Sequence, residues 1–213
     1  MTLAFPSAAR FDDRGLLVAV AQEWVSGRVL MVAFMNREAL ERTVATGEAH
    51  FWSRSRRRLW RKGETSGALL LVDQLQLDCD GDAVLLSVRP QGPTCHLGRR
   101  SCFPAPATLS DRLQATLEDR RRLLPSGSYT ARLLRGGIPA ISRKVGEEAT
   151  EVIVAAHQDD STQLVAEVAD LWFHTLLLLV AKGLSGDEIR AELAGRLGKP
   201  PRERPPDAES AVN

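Results

Sequence analysis

At Pro104-Ala105-Pro106 the hydrophobic period of this chain changes, and that change limits the available folds more than any other feature. Upstream, runs of β-branched and aromatic residues are punctuated by turn signals; downstream, apolar residues recur at three- and four-residue steps. A chain of 213 residues can hold two small domains. The pattern predicts a β-rich α+β domain over residues 1–105 and an all-α helical bundle over 107–198. Residues 199–213 are proline and charged residues, the composition of a disordered tail.

Residues 16–24 and 28–35 read as a hairpin about Ser26-Gly27, and 37–46 as a short helix. Strand character returns at His50, and 69–77 and 83–88 flank a turn at Asp80-Gly81-Asp82. Helices are expected at 110–124, 129–135, 140–158, 161–182 and 186–197. Asp160 or Ser161 can cap one of them, and Ser185 with Glu188 has capping-box spacing for another. A net charge of +1 excludes strong whole-protein attraction to nucleic acid or an anionic membrane. The opening MTLAFPSAAR lacks a signal peptide's pattern, and no apolar stretch is expected to approach the ~20 residues of a membrane span. A cytoplasmic protein is expected, in which three cysteines favour metal binding or catalysis over a disulfide framework.

Those cysteines, Cys79, Cys95 and Cys102, fall within DCDGDAVLLSVRPQGPTCHLGRRSCF (78–103), beside Asp78, Asp80 and Asp82. Thiolates suit zinc and carboxylates suit magnesium or calcium, so one region could hold a soft site next to a hard one. The bland alternatives are buried free cysteines and a solvated acidic turn. An EF-hand is excluded, because Ala83 would replace its sharp-turn glycine and Arg89 its bidentate glutamate. Three sulfurs leave one zinc position for water, unless His96 closes it. Just upstream, Arg54, Arg56, Arg57, Arg58, Arg61 and Lys62 interleave with Trp52 and Trp60. Such a segment is a solvated face, a single-strand binder, or a site for a purine nucleotide's phosphates and base. Trp52, Arg54, Ser55, Arg56, Lys62, Thr65 and Ser66 are the candidate substrate contacts.

The helical half holds a second constellation. Helix 140–158 should bury a stripe of Val145, Ala149, Val152, Ile153 and Ala156, flanked by Glu148 and Glu151. The next helix is apolar nearly all round, which predicts burial, yet Glu167, Asp170 and His174 share one side. Buried carboxylates are costly without a cation. The two acid pairs either make a magnesium cage or are surface acids paired with Arg143 and Lys144.

Two family resemblances join these observations. HFWSRSRRRLWRKGETSG (50–67), DCDGD and CHLGRRSCF resemble phosphoribosyl-AMP cyclohydrolase over most of residues 10–105, with Phe51 and Leu97 where that family usually has Tyr and Thr. GSYTARLL (127–134), KVGEEATEV (144–152) and EVADLWFH (167–174) resemble phosphoribosyl-ATP pyrophosphatase over roughly 108–198. The order of the two resembles the bifunctional histidine-biosynthesis enzyme. The first resemblance implies Zn2+ on Cys79, Cys95 and Cys102, with Cys79 supplied by the partner in a homodimer, and Mg2+ on Asp78, Asp80 and Asp82. The second implies Mg2+ on Glu148, Glu151, Glu167 and Asp170, with Glu147 as a weaker candidate because a regular helix turns it away.

By resemblance the helical half would convert phosphoribosyl-ATP to phosphoribosyl-AMP and pyrophosphate, with Lys144 and Arg132 as phosphate clamps. The β-rich half would open the purine ring of that product with zinc-activated water, giving a formimino-carboxamide ribonucleotide. Three thiolates more than cancel the metal's charge, so a supporting base is expected, His96 first and a cation of the basic segment second. A zinc deaminase is disfavoured because its H-x-E and P-C-x-x-C signatures are missing. An RNA-binding zinc module is disfavoured by the near-neutral charge and the acids within an apolar helix.

Overall fold

The computed structural model describes residues 3–104 and 108–197. Pro106 of the expected domain boundary and the expected tail at 199–213 lie outside the described residues. Strands β1 (Leu17–Glu23) and β2 (Val29–Met35) form the expected antiparallel hairpin, with Val20 opposite Val32. Helix α1 (Arg37–Thr46) begins where the Asn36 side chain accepts the Ala39 N–H, and ends at Gly47 in the left-handed region. Strands β3 (His50–Ser53), β4 (Arg58–Arg61), β5 (Leu70–Leu77) and β6 (Ala83–Pro90) complete a six-stranded sheet of order β4-β3-β2-β1-β6-β5. All neighbours are antiparallel except β1 and β6, which run parallel.

Alternation along β1 turns Leu17, Ala19 and Ala21 inward, where they meet Leu30, Met35, Leu40, Phe51, Leu70 and Leu86. The sheet curls until Ala49 N–H reaches the Leu70 carbonyl at 2.9 Å. That curl brings the β4–β5 connection, carrying Lys62 to Ala68, against the loop that carries Cys95 and Cys102.

After residue 108 the described chain is helical: α2 (Leu109–Leu123), α3 (Tyr129–Arg135), α4 (Gly137–Ala155), α5 (Ser161–Ala181) and α6 (Gly186–Arg196). Thr108 and Asp111 cap α2 reciprocally, Asp160 caps α5, and Ser185 with Glu188 forms the expected capping box on α6. Leu117, Ile141, Leu176, Leu177 and Val180 form the core.

Three expectations are corrected here. Helix α4 buries Ile141, Glu148 and Ala155 rather than the full predicted stripe, and Ile153 is 62% exposed. The residues at 141, 148 and 155 are spaced by seven, close to two full turns, so they line the α5-facing edge while Ile153 and Ala156 rotate off it. Helix α5 is buried only in its second half, with Val165 and Trp172 more than 60% exposed, because α4 and α2 cover one side of it. At 21 residues α5 is also long and apolar enough to cross a membrane by length and composition, since its acids interrupt the apolar run without ending the helix.

Gly63 shows how tightly the site wall is built. Its φ is +87°, and a Cβ there would stand 2.6 Å from the Ala68 carbonyl carbon, whereas Gly67 (φ +74°) has open space. Gly63→Ala is expected to destabilise by about 1–3 kcal/mol from backbone strain alone, plus the cost of the clash. Gly67→Ala carries only the strain, so equal denaturation midpoints for the two variants would contradict this packing.

Candidate metal and nucleotide sites

The β-rich half holds a cavity of about 610 Å3, lined by Arg56, Lys62, Thr65, Ser66, Cys95, His96 and Cys102 among others. These distant stretches meet because β4 delivers the basic segment to one wall and the loop after β6 delivers the cysteines to the other. The loop is tied down by its backbone: Cys95 N–H donates to Arg99 O at 2.9 Å, and Cys102 N–H to Leu30 O at 2.8 Å. Trp52, Arg54 and Ser55 do not line the cavity. Trp52 is on the opposite side of β3 from the buried Phe51, and the Arg54 guanidinium stacks 4.0 Å from the Phe34 ring centroid. Trp60 lines the cavity instead, its ring 5.2 Å from that of Phe51. Period-two parity on β4 was the available signal, but the strand boundaries needed to set it were not.

Cys95 is buried and Cys102 exposed, and their sulfurs interact. The Leu97 N–H holds the Cys95 thiol below its usual range, while burial and then the Cys95 charge push Cys102 up. Burial likewise lowers Lys62, opposed by the two sulfurs, and its Nζ donates to Ala68 O at 3.1 Å. Thr94, unremarked in the sequence, is buried beside Cys95, and its Oγ1 has no hydrogen-bond partner. A thiol pair that resists double ionisation, next to an orphaned hydroxyl, is a donor set that fits zinc. Cys79 belongs to no cluster of three potential ligands among the described residues and is exposed in the β5–β6 turn. His96 is exposed on the cavity wall.

Asp78, Asp80 and Asp82 do converge, with carboxylate oxygens within 4.8 Å of one another. Asp78 Oδ1 accepts from Gly81 N–H at 3.0 Å and Ala83 N–H at 3.1 Å, and the Ala83 bond leads in holding its carboxyl below the usual carboxylate range. Asp82 is pushed up by the charges of Asp80 and Asp78. The three oxygens fit a hard cation.

In the helical half, Glu148, Glu151 and Glu167 offer oxygens within 4.8 Å of one another. Asp170 is not in that group, and its backbone oxygen receives the His174 Nδ1 hydrogen bond at 2.9 Å. Glu148 is 4% exposed and paired with Lys144 at 2.6 Å, which lowers it below the usual carboxylate range. Glu151 is raised, first by its hydrogen bond to Glu148 and then by that carboxylate's charge. Glu147 pairs with Arg143 at 2.6 Å and Lys144 at 3.1 Å, consistent with its turning away from the cluster. Arg132 stacks over Tyr129 at 5.3 Å and forms no ion pair with these acids among the described residues. Tyr129 and His174 complete the site: the Tyr129 hydroxyl donates to Nε2 at 2.9 Å, because Nδ1 is already the donor to Asp170 O. Both residues stand in the motifs that carry the resemblance, but their pairing across α3 and α5 needed the fold.

Two folds and two ligand-rich sites in one chain define a two-domain hydrolase acting on nucleotides. A family model described as Phosphoribosyl-AMP cyclohydrolase matches residues 31–104, and one described as Phosphoribosyl-ATP pyrophosphohydrolase matches 110–196. The chain is 47% identical over 195 residues to the histidine biosynthesis bifunctional protein HisIE of Thermus thermophilus, covering 88% of this chain and 91% of that one. The protein of that name from Gloeobacter violaceus is 51% identical over 182 residues, covering 81% and 83%. The chain belongs to this family of bifunctional histidine-biosynthesis enzymes.

The raised pKa of Glu151 gives stability a signed dependence on pH. A carboxylate disfavoured by its neighbours opposes folding once it ionises, so Glu151→Gln should stabilise the metal-free chain at neutral pH, a gain that shrinks as pH falls through the raised folded value and is gone below the ordinary glutamate range near about 4. Thermal melts in chelator test this, and a lower melting temperature for the variant at pH 7 would contradict it.

Proposed function

We propose that the helical domain hydrolyses phosphoribosyl-ATP to phosphoribosyl-AMP and pyrophosphate, and that the β-rich domain opens the purine ring of phosphoribosyl-AMP. The observation that carries this assignment is the convergence of Glu148, Glu151 and Glu167 where α4 packs on α5, a carboxylate set that fits a divalent cation. Magnesium bound there would neutralise phosphate charge and orient a water. Lys144, kept charged first by Glu148, is the chain's own cation at the cluster and can transfer to a phosphate oxygen when substrate enters. Asp170 would be a fourth ligand for that ion, and Arg132 would clamp the outer phosphates. His174, held by Tyr129 and by Asp170 O, backs Glu148 at 3.6 Å.

In the cavity, Cys95 and Cys102 with Cys79 of the partner subunit would hold zinc, which supplies a water acidic enough to attack a purine carbon. Arg56, Lys62, Thr65 and Ser66 bind phosphate, Trp60 stacks on the base, and His96 accepts the proton of the attacking water. Asp78, Asp80 and Asp82 hold a second magnesium. Two features support a homodimer. Cys79 stands apart from the other two cysteines, and exposed apolar side chains remain on the outer sheet face (Val18, Val32) and on α4 and α5 (Ile153, Val165, Trp172). This reading places the enzyme in the cytoplasm, where its thiols stay reduced.

Subunit complementation tests the shared site. Cys79→Ser and Cys102→Ser homodimers should each lose ring opening, and mixing them with subunit exchange should restore about a quarter of wild-type turnover, because half the dimers are mixed and each has one intact site. No recovery after verified exchange would refute sharing. Pyrophosphate release from phosphoribosyl-ATP by both variants should stay near wild type and require magnesium; release that survives thorough chelation would refute the helical assignment. His96→Asn should lose the acidic limb of the ring-opening pH profile, measured as rate against pH, and an unchanged profile would refute its role.

A further inference from the structure

Charged side chains at the junction of the two domains close into a ring. Glu23, at the end of β1, receives Arg100 on both oxygens, Nε to Oε1 at 3.3 Å and Nη2 to Oε2 at 2.5 Å. Arg100 also pairs with Asp187 in the first turn of α6, and Asp187 pairs with Arg190. Arg190 approaches Asp111 at 3.9 Å, and Asp111 pairs with Arg28 at 3.0 Å. Glu23 N–H donates to Arg28 O at 2.8 Å, which completes the circuit. Three acids alternate with three bases, so the ring is neutral, and it crosses between domains twice, at Arg100–Asp187 and Arg28–Asp111. Lone surface ion pairs contribute little. Here the Glu23 and Asp111 side chains are only 8% and 9% exposed, so salt screens them weakly and loss of a partner strands a desolvated charge.

Arg100 belongs to the cysteine loop, two residues before Cys102. The same loop is held by β2 next to Arg28: Ser101 Oγ donates to Val29 O at 2.8 Å, and Cys102 N–H to Leu30 O at 2.8 Å. Both supports of Cys102 therefore lead to the ring. We propose that the ring is an interdomain clasp through which Asp187 of the helical domain positions Cys102 in the cavity of the β-rich domain, making Arg100 and Asp187 positioning residues for ring opening. The assignment rests on the reading of Cys102 as a zinc ligand. It also gives a physical reason for carrying the two activities on one chain: the helical domain supplies part of the scaffold of the other site.

The test uses the full chain with Asp187→Asn and Asp187→Glu. Hydrogen exchange over the peptide containing Cys102 should quicken by about tenfold in D187N, and return towards wild type in D187E. Zinc should pass to a chromophoric chelator several-fold faster from D187N, while its pyrophosphohydrolase rate stays within about twofold of wild type. Unchanged exchange in D187N overturns the clasp, and faster exchange with unchanged zinc release overturns the positioning of Cys102. Arg28→Gln breaks the other crossing without touching α6 and should quicken the same peptide; if it does not, the ring is not a unit. A wild-type chain that binds no zinc refutes the zinc reading alone, because the exchange measurement still decides the clasp.

Discussion

Like charges held at close range are the constraint on which the rest of this molecule turns. Glu148, Glu151 and Glu167 are brought within 4.8 Å by the packing of α4 on α5, and packing that is otherwise apolar sustains an arrangement that electrostatics opposes. The surroundings show how that opposition is managed. Lys144 lies against Glu148, Arg143 draws Glu147 aside, and His174 is locked by Tyr129 so that it adds bulk without another anion. Glu151 is left with a raised pKa. That residual frustration is what a divalent cation would relieve.

The β-rich domain meets the same problem with backbone donors. Asp78 is stabilised as an anion by two N–H groups of its own turn, and Cys95 by the N–H of Leu97. A tight turn after β5 and a short loop after β6 can aim successive N–H groups at one atom, which a helix interior, with its N–H groups already engaged, cannot do. Side-chain cations in one domain and main-chain dipoles in the other are therefore consequences of secondary structure.

Much of this was legible beforehand. The period change at Pro104 separated strand from helix, and the capping residues Asp160 and Ser185 mark helix starts in the structure. Asp78, Asp80 and Asp82 cluster because a turn compresses neighbours in sequence, and Glu148 with Glu151 because one helical turn does. What failed was parity and coverage. Trp52 lies outside the cavity that Trp60 lines, and the apolar stripe of α4 rotated away from Ile153 because the direction of α5 decides which edge is covered.

Short-range chemistry was thus written in the chain: element type, caps, the acid turn and the identity of the ligand-bearing motifs all follow from residues a few positions apart. Tertiary structure decided which distant residues meet. Trp60 faces Cys95 only after the sheet curls, Tyr129 finds His174 only when α3 and α5 are in place, and Arg100 joins Glu23 to Asp187 across separations of 77 and 87 residues. Local pattern records the preferences of each segment, but the partner of a side chain is set by how whole elements pack, and no single segment contains that information.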